Sequence, residues 1–421
     1  MTSEKALAFL KQHGMSPEGI DPAGEARNMA EDMLRGLKNQ GGSLPMIPTY
    51  LSDAGQIPRG EPVAVIDAGG TNFRCALVRL EEDGCHSEKM RKWKMPGIDK
   101  PATWEEFIRF TADAIEPLMS EADKIGFCFS YSADITPEMD GRVQRIDKEV
   151  VILGCEGQLV GASLLKELER RGIFGKKIVI LNDTVAVLLG GLAAGDENGT
   201  GCAIGQVSGT GTNTCCSLPE KRIEKLGRGG ERRMVVNLES GMYDGMPRGD
   251  FDRELDRDSH NPGIKLFEKM TAGVYLGELC HRMLRAAAEE GLLSPESAEK
   301  VSSLGWIDSS VIDAWSMGEK LEQIAAGKED ADFVRTLCKA MFERSARCMC
   351  ANLAAIAILS EEKNVSICAE GSLVQKSRVY RPTLERLLRE VVQEQLGKKL
   401  HFTVGYETTL AGSAAAALLN L

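Results

Sequence analysis

Two glycine-rich turns of one design carry most of the chemical signal in this chain. They are Asp67-Ala68-Gly69-Gly70-Thr71-Asn72 and Ser208-Gly209-Thr210-Gly211-Thr212-Asn213. Each follows an apolar run, Val63 to Ile66 and Cys202 to Val207, and precedes another short run. The pattern reads as strand, tight turn, strand, with glycine where the backbone must bend sharply or approach a ligand. Backbone N–H groups that point one way, beside Thr and Asn donors, form a concavity for an anion. A single turn of this kind is common; the pair predicts two lobes facing one polyphosphate. Phosphoryl transfer to a hydroxyl also needs a carboxylate to take the hydroxyl proton while donors and a metal spread the phosphate charge. Asp183, in Asn182-Asp183-Thr184, is the candidate for that carboxylate.

The elements that must position these groups alternate between strand and helix, which predicts an α/β fold. Residues 24 to 39 read as an amphipathic helix, 43 to 60 as a proline-bearing connector, and 63 to 80 as the first hairpin. Apolar spacing predicts a helix from Thr103 to Met119, then strands over 125–129 and 178–181 and a helix over 185–194. In the second half, Met234 to Leu238 reads as a strand. Pro262, after the capping candidate Asn261, predicts one long helix through Phe267, Met270, Val274 and Leu279. Residues 292 to 330 show little periodicity. Val334 to Leu359 reads as a buried helix, 365–368 as a strand, and 414–419 as a closing helix. Asp67, Ser130, Asn182, Asp183, Glu239 and Gly371 all fall just past predicted strands, where open α/β sheets bind ligands.

Composition narrows the partners. With 421 residues the chain has room for two or three domains, and its net charge of −11 argues against nucleic acid. Its 12 cysteines sit in apolar runs without metal spacing, which predicts reduced, buried thiols. Neither a signal peptide nor a long apolar span is evident, so a cytoplasmic protein away from membranes is expected, as monomer or homodimer.

Seven motifs, in order and spacing, resemble the hexokinase family. They are Met46-Ile47-Pro48-Thr49-Tyr50, Asp67 to Arg74, Phe127 to Ser132, Asn182-Asp183-Thr184, Gly209 to Asn213, Asn237-Leu238-Glu239-Ser240-Gly241 and Phe267-Glu268-Lys269-Met270. The likeness is close over residues 27 to 290 and looser over 365 to 421, as for a single-unit hexokinase or glucokinase of bacterial length. It implies two actin-like, ribonuclease-H-like lobes with a central cleft that closes over a hexose and ATP with Mg²⁺. The expected division is 1–57 as N-terminal helix and connector on the large lobe, 58–184 with 405–421 as the small lobe, and 185–404 as the large lobe.

Carried over by position, the resemblance implies that Asp183 is the base that takes the proton of the sugar 6-hydroxyl, with Lys148 and Arg74 completing the catalytic set. Ser130, Tyr131, Ser132, Asp147, Lys148, Asn182, Asp183, Asn213, Glu239 and Glu268 would surround the sugar. Carboxylates and amides suit a ring of hydroxyls, and buried partners left unpaired penalise the wrong sugar. Asp67, Gly69, Gly70, Thr71, Asn72, Arg74, Gly209, Thr210, Gly211, Gly371 and Ser372 would contact the nucleotide. Asp67 would hold Mg²⁺ through water, since that ion keeps much of its hydration shell.

Taken singly, each residue has a plainer reading. Asp183 fits a helix cap, Lys148 a solvated face, Glu239 an arginine partner, Glu268 an exposed helix position, Arg74 a surface cation and Asn213 a prop for its own turn. The order of the motifs selects the functional reading. The chain also departs from the family: Ser132 replaces proline, Asp147 replaces threonine beside Lys148, and Glu370 replaces aspartate before Gly371-Ser372. Glu407 to Ser413 stands where a denser glycine and basic nucleotide loop is usual. Glucose is the expected substrate. Mannose, fructose or an amino sugar, a non-catalytic sugar sensor, and an actin- or chaperone-like ATPase are the competing readings.

Overall fold

The computed structural model describes residues 2–146, 150–195 and 201–421. Two sheets repeat one topology. The five-stranded sheet runs, in spatial order, Lys177–Leu181, Lys124–Phe129, Val63–Gly69, Asn72–Glu81 and Gly84–Lys94. In the other sheet the order is Lys399–Val404, Asn364–Glu370, Cys202–Ser208, Thr212–Pro219 and Arg233–Asn237, with the short strand Ile47–Pro48 on its edge. In each, in that spatial order, the first three strands run parallel, while the fourth and the fifth each pair antiparallel with the strand before. The duplicated glycine hairpin is therefore the visible part of a duplicated sheet.

Between the sheets lies a layer of two helices. Thr408–Asn420 packs on the five-stranded sheet, Asp183–Ala193 packs on the six-stranded one, and the two helices pack on each other. Glycine makes that crossing close: a Cβ on Gly412 would lie 1.8 Å from the Ala186 carbonyl oxygen. Val65, Ala76, Val179, Val185, Leu188, Cys215 and Ala414 form the apolar core of this layer. Behind the six-stranded sheet, the 33-residue helix Lys328–Ser360 is buried along much of its length. The N-terminal helices Thr2–Gln12 and Pro22–Lys38 pack against it. Its Arg344 forms a buried ion pair with Asp252 at 2.6 Å. A buried charge of this kind needs its partner, because either alone would be stranded out of water.

The structure corrects several element boundaries. The helix expected from Pro262 is two helices, Leu266–Thr271 and Gly273–Glu289, broken at Ala272, whose φ of −82° and ψ of 143° are extended. Asn261 caps neither. The break frees the Gly273 N–H from helical pairing, and it donates to the Gly209 carbonyl in the second turn at 2.8 Å. Residues 292–330, unreadable in sequence, contain the helices Pro295–Ser302 and Ser309–Ser316, started by Ser294 and Asp308 caps. The closing helix begins at Thr408, not at Ala414. Most of the segment read as a C-terminal nucleotide loop is thus helix, with its glycine spent on packing against Ala186.

Candidate functional site

The first turn is organised by cross-strand pairing. Asp67 and Arg74 are register partners, and Arg74 Nε donates to Asp67 Oδ2 at 2.6 Å. Gly70 takes the left-handed conformation, φ +51°, that closes the turn, and the Tyr131 hydroxyl donates to its carbonyl at 2.8 Å. Thr71 and Asn72 stand exposed at the tip. Gly69 leaves open the space beside Ser130 and Asp67: a Cβ there would lie 3.5 Å from Asp67 Oδ1 and 3.6 Å from Ser130 Oγ.

In the second turn, Gly209 N–H donates to the Gly211 carbonyl at 3.0 Å, and Thr210 is exposed. Gly371 and Ser372 lie against it: a Cβ on Gly209 would be 3.2 Å from Ser372 N. Gly371 has φ +118°, and a Cβ there would meet the Ser208 carbonyl at 2.4 Å, so only glycine fits. A short relay links the turns. Arg74 Nη1 lies 3.8 Å from Glu407 Oε1, the next residue Thr408 bonds to Glu370, and Glu370 precedes Gly371.

The acid candidates gather at the same sheet end. Asp67 and Leu181 both face Cys128 across neighbouring strands. Burial pushes the Cys128 thiol well up, and the charges of Asp67 and Asp183 push it further. Asn182 caps the following helix, its Oδ1 accepting from Thr184 N–H at 3.0 Å and Thr184 Oγ1 at 2.8 Å. Asp183 Oδ1 also accepts from Thr184 N–H, at 2.8 Å. The plain reading of Asp183 as a helix-start acceptor is therefore part of its geometry.

Opposite stands a set of amides and acids. Asn213 Nδ2 donates to Asn237 Oδ1 at 2.9 Å, and Asn237 Nδ2 donates to Glu239 Oε1 at 2.8 Å. Glu239 sits in the left-handed region at φ +56°. Burial raises its pKa, the Asn237 hydrogen bond and Lys265 oppose that rise, and Asp183 and Glu268 add to it. Glu268 is not the exposed helix residue of the plainer reading. Its Oε1 accepts from Thr212 N–H at 3.2 Å, and its Oε2 pairs with Lys265 Nζ at 3.3 Å.

A cavity of about 620 Å³ opens between these sets, lined by Tyr131, Ser132 and Asn182 on one side and by Asn237 and Glu239 on the other. Ile47, Pro48, Thr49 and Tyr50 of the connector line it as well. Ser130, Asp183, Asn213 and Glu268 stand beside this lining, not in it. Asp147 and Lys148 lie outside the described residues. Sequence reasoning gave no role to Asn237, to Lys265 or to the connector. Asn237 opened a recognised motif, and its amide between two other polar groups was the available signal. Lys265 carried none.

Comparisons with known proteins place this geometry. Residues 203–419 match one hexokinase family model and residues 9–192 match another. Hexokinase-1 of Nicotiana tabacum is 30% identical over 440 residues, covering 93% of this chain and 86% of that protein. Hexokinase-1 of Schizosaccharomyces pombe is 27% identical over 397 residues, covering 88% and 81%. Among solved structures, a hexokinase from Schistosoma mansoni complexed with glucose superposes with TM-score 0.77 at 24% identity, covering 99% of this chain and 98% of that one. A ROK family glucokinase from Streptomyces griseus, in complex with glucose and AMPPNP, gives 0.52 at 17% identity, covering 85% and 99%. These structural likenesses establish the two-lobed, actin-like fold. No helix among the described residues is long and apolar enough to cross a membrane. The chain belongs to the hexokinase family, enzymes that phosphorylate a hexose with ATP as phosphoryl donor.

Proposed function

We propose that this enzyme transfers the γ-phosphoryl group of ATP to the 6-hydroxyl of glucose. The observation that carries the reading is the position of Asp183. It opens the helix just after Leu181, which shares the strand neighbour Cys128 with Asp67, and its charge bears on both Cys128 and Glu239. Asp183 accepts the hydroxyl proton as the sugar oxygen attacks the γ-phosphorus. The bond from that phosphorus to the β–γ bridging oxygen breaks, and ADP leaves with the electron pair. The two glycine turns hold the phosphates through backbone N–H groups, and Arg74 neutralises charge that develops on the moving group. Asn182, Asn213, Glu239 and Glu268 pair with sugar hydroxyls and align the 6-hydroxyl.

The Asp67 carboxylate suits Mg²⁺. Its Oδ2 is held by Arg74, while Oδ1 faces the space that Gly69 leaves open, as a hard oxygen donor should. When bound, Mg²⁺ would withdraw charge from the phosphate oxygens. All the cysteines but Cys85 are buried, and none is placed in a disulfide, which suits a reducing cytoplasm. A coupled ADP-release assay over glucose, mannose, fructose and glucosamine tests the reading. Glucose should give the highest kcat/KM, and ADP release indifferent to every sugar would overturn it.

A further inference from the structure

A second cavity, of about 400 Å³, lies at the edge of the five-stranded sheet. Cys75, Ala114 and Leu118 form its buried lining, and Lys89, Met90 and Arg91 of the edge strand stand exposed around it. Cys75 belongs to the apolar cluster of Phe73, Leu77, Phe107 and Leu118, whereas its neighbour Ala76 faces the two-helix layer. The cavity therefore opens on the sheet face turned away from that layer. The Cys75 thiol donates to the Ala114 carbonyl at 3.2 Å, so these polar atoms satisfy each other and the lining is apolar.

Beside this cavity the edge strand slips register. Arg91 pairs with Cys75 and Glu88 with Leu77, so Lys89 and Met90 together stand opposite Ala76. Such a bulge re-aims the side chains around it, and Lys89 holds a left-handed φ of +53° that a long side chain seldom adopts. Lysines and a bulge also protect a sheet edge from pairing with another chain, but that duty needs no cavity behind the edge. The charges are unevenly matched. Lys89 pairs with Glu121, and Asp113 and Glu116 both pair with Arg171, at 2.6 Å and 2.8 Å. Arg91 has neither hydrogen bond nor ion pair among the described residues, and no acid lines the cavity. A spare guanidinium thus stands over an apolar hollow on a chain whose net charge is −11.

We propose that this cavity is a binding site for a medium-chain aliphatic carboxylate. The alkyl chain lies against Cys75, Met90, Ala114 and Leu118, and the carboxylate takes paired N–H bonds from Arg91. The volume falls within the roughly 300–1,000 Å³ of small-molecule sites, which are mostly apolar with a few placed polar groups. One spare cation suits one negative charge, and the apolar lining suits a hydrocarbon tail more than a phosphate or a sugar. The inference stands apart from the hexose reading, since none of these residues belongs to the cleft.

The test is calorimetric titration of the full chain with sodium octanoate, using 1-octanol as the neutral probe of equal chain length. Wild type should bind octanoate saturably at a single site. R91Q, at an exposed position, should fold normally and bind it at least about tenfold more weakly, as loss of charge-assisted hydrogen bonds does. Wild type should bind 1-octanol more weakly than octanoate by a similar factor. A114L fills the hollow from its buried side and should abolish octanoate binding, with thermal unfolding as the check on folding. Absence of saturable octanoate binding to wild type would overturn the inference. Equal octanoate affinity in R91Q, equal affinity of wild type for 1-octanol, or binding that persists in a folded A114L would do the same. If A114L does not fold, R91Q and the neutral probe decide.

Discussion

Thr408 donates its backbone N–H to Glu370 Oε2 at 3.1 Å, and its hydroxyl bonds to the same oxygen. A carboxylate at the end of a six-stranded-sheet strand thus caps the helix that covers the five-stranded sheet. The next residue, Gly371, lies against the second glycine turn, so this contact joins that turn to the helix on the other sheet. Replacing Glu370 by Ala should destabilise the first helical turn by about 1 kcal/mol, the usual effect of a lost cap. Hydrogen exchange at the amides near Thr408 should quicken, while Glu370→Gln, which keeps an acceptor, changes less. Equal exchange in wild type and Glu370→Ala would show that the contact caps nothing.

Gly371→Ala tests the turn itself. Positive φ adds roughly 1–3 kcal/mol of strain for a residue with a Cβ. The new atom would also press on the Ser208 carbonyl at 2.4 Å, which forces the second turn to move. The KM for ATP should rise at least about tenfold, the loss expected when phosphate donors are misplaced. Hexose binding measured by calorimetry should change little. An ATP KM within twofold of wild type would remove Gly371 from the nucleotide site.

Asp183→Asn separates the two roles of this side chain. An amide oxygen can still accept from Thr184 N–H, so a residue that serves only the helix start would leave turnover near normal. A general base cannot be replaced in this way. We expect kcat to fall roughly 10²- to 10⁴-fold, with hexose binding by calorimetry weakened but present. Near-normal kcat in a folded variant would exclude Asp183 as the base.

The pH dependence follows from Glu239. Burial lifts its carboxyl above the ordinary value of 4.5, so the protonated form persists to a higher pH than on an exposed glutamate. As pH falls from neutrality the charged acceptor is lost and hexose affinity with it. The hexose KM should climb, approaching about tenfold per unit below the Glu239 pKa, while the ATP KM holds steadier. Glu239→Gln should flatten that climb and show a high KM at every pH. A hexose KM that is level down to the ordinary glutamate range would count against this assignment.

Much of the fold was legible in the sequence because its signals are local. Apolar runs broken by Gly69-Gly70 and by Gly209 to Gly211 specify hairpins with no help from distant contacts. The strand Lys177–Leu181 and the helix that starts after Asn182 were readable for the same reason. What failed depended on tertiary partners. The break at Ala272 exists because Gly273 N–H finds the Gly209 carbonyl, an acceptor far away in sequence. Ile47–Pro48 becomes an edge strand only because Asn237 and Val236 lie alongside it. In the cleft, residues with a chemical type and a motif could be named from sequence, whereas Lys265 looked like any surface lysine. Its placement depends on a backbone conformation that composition does not announce.

The helix Thr408–Asn420 has a consequence for how the molecule is made. It shields one face of a sheet whose strands all leave the ribosome long before it does. Val65 and Ala76 on that face would stay wet through most of synthesis, so the first lobe cannot mature alone. Clipping this helix would leave a sticky surface and favour clumping over a smaller working enzyme, and chaperones would find their target on that early, half-clad intermediate.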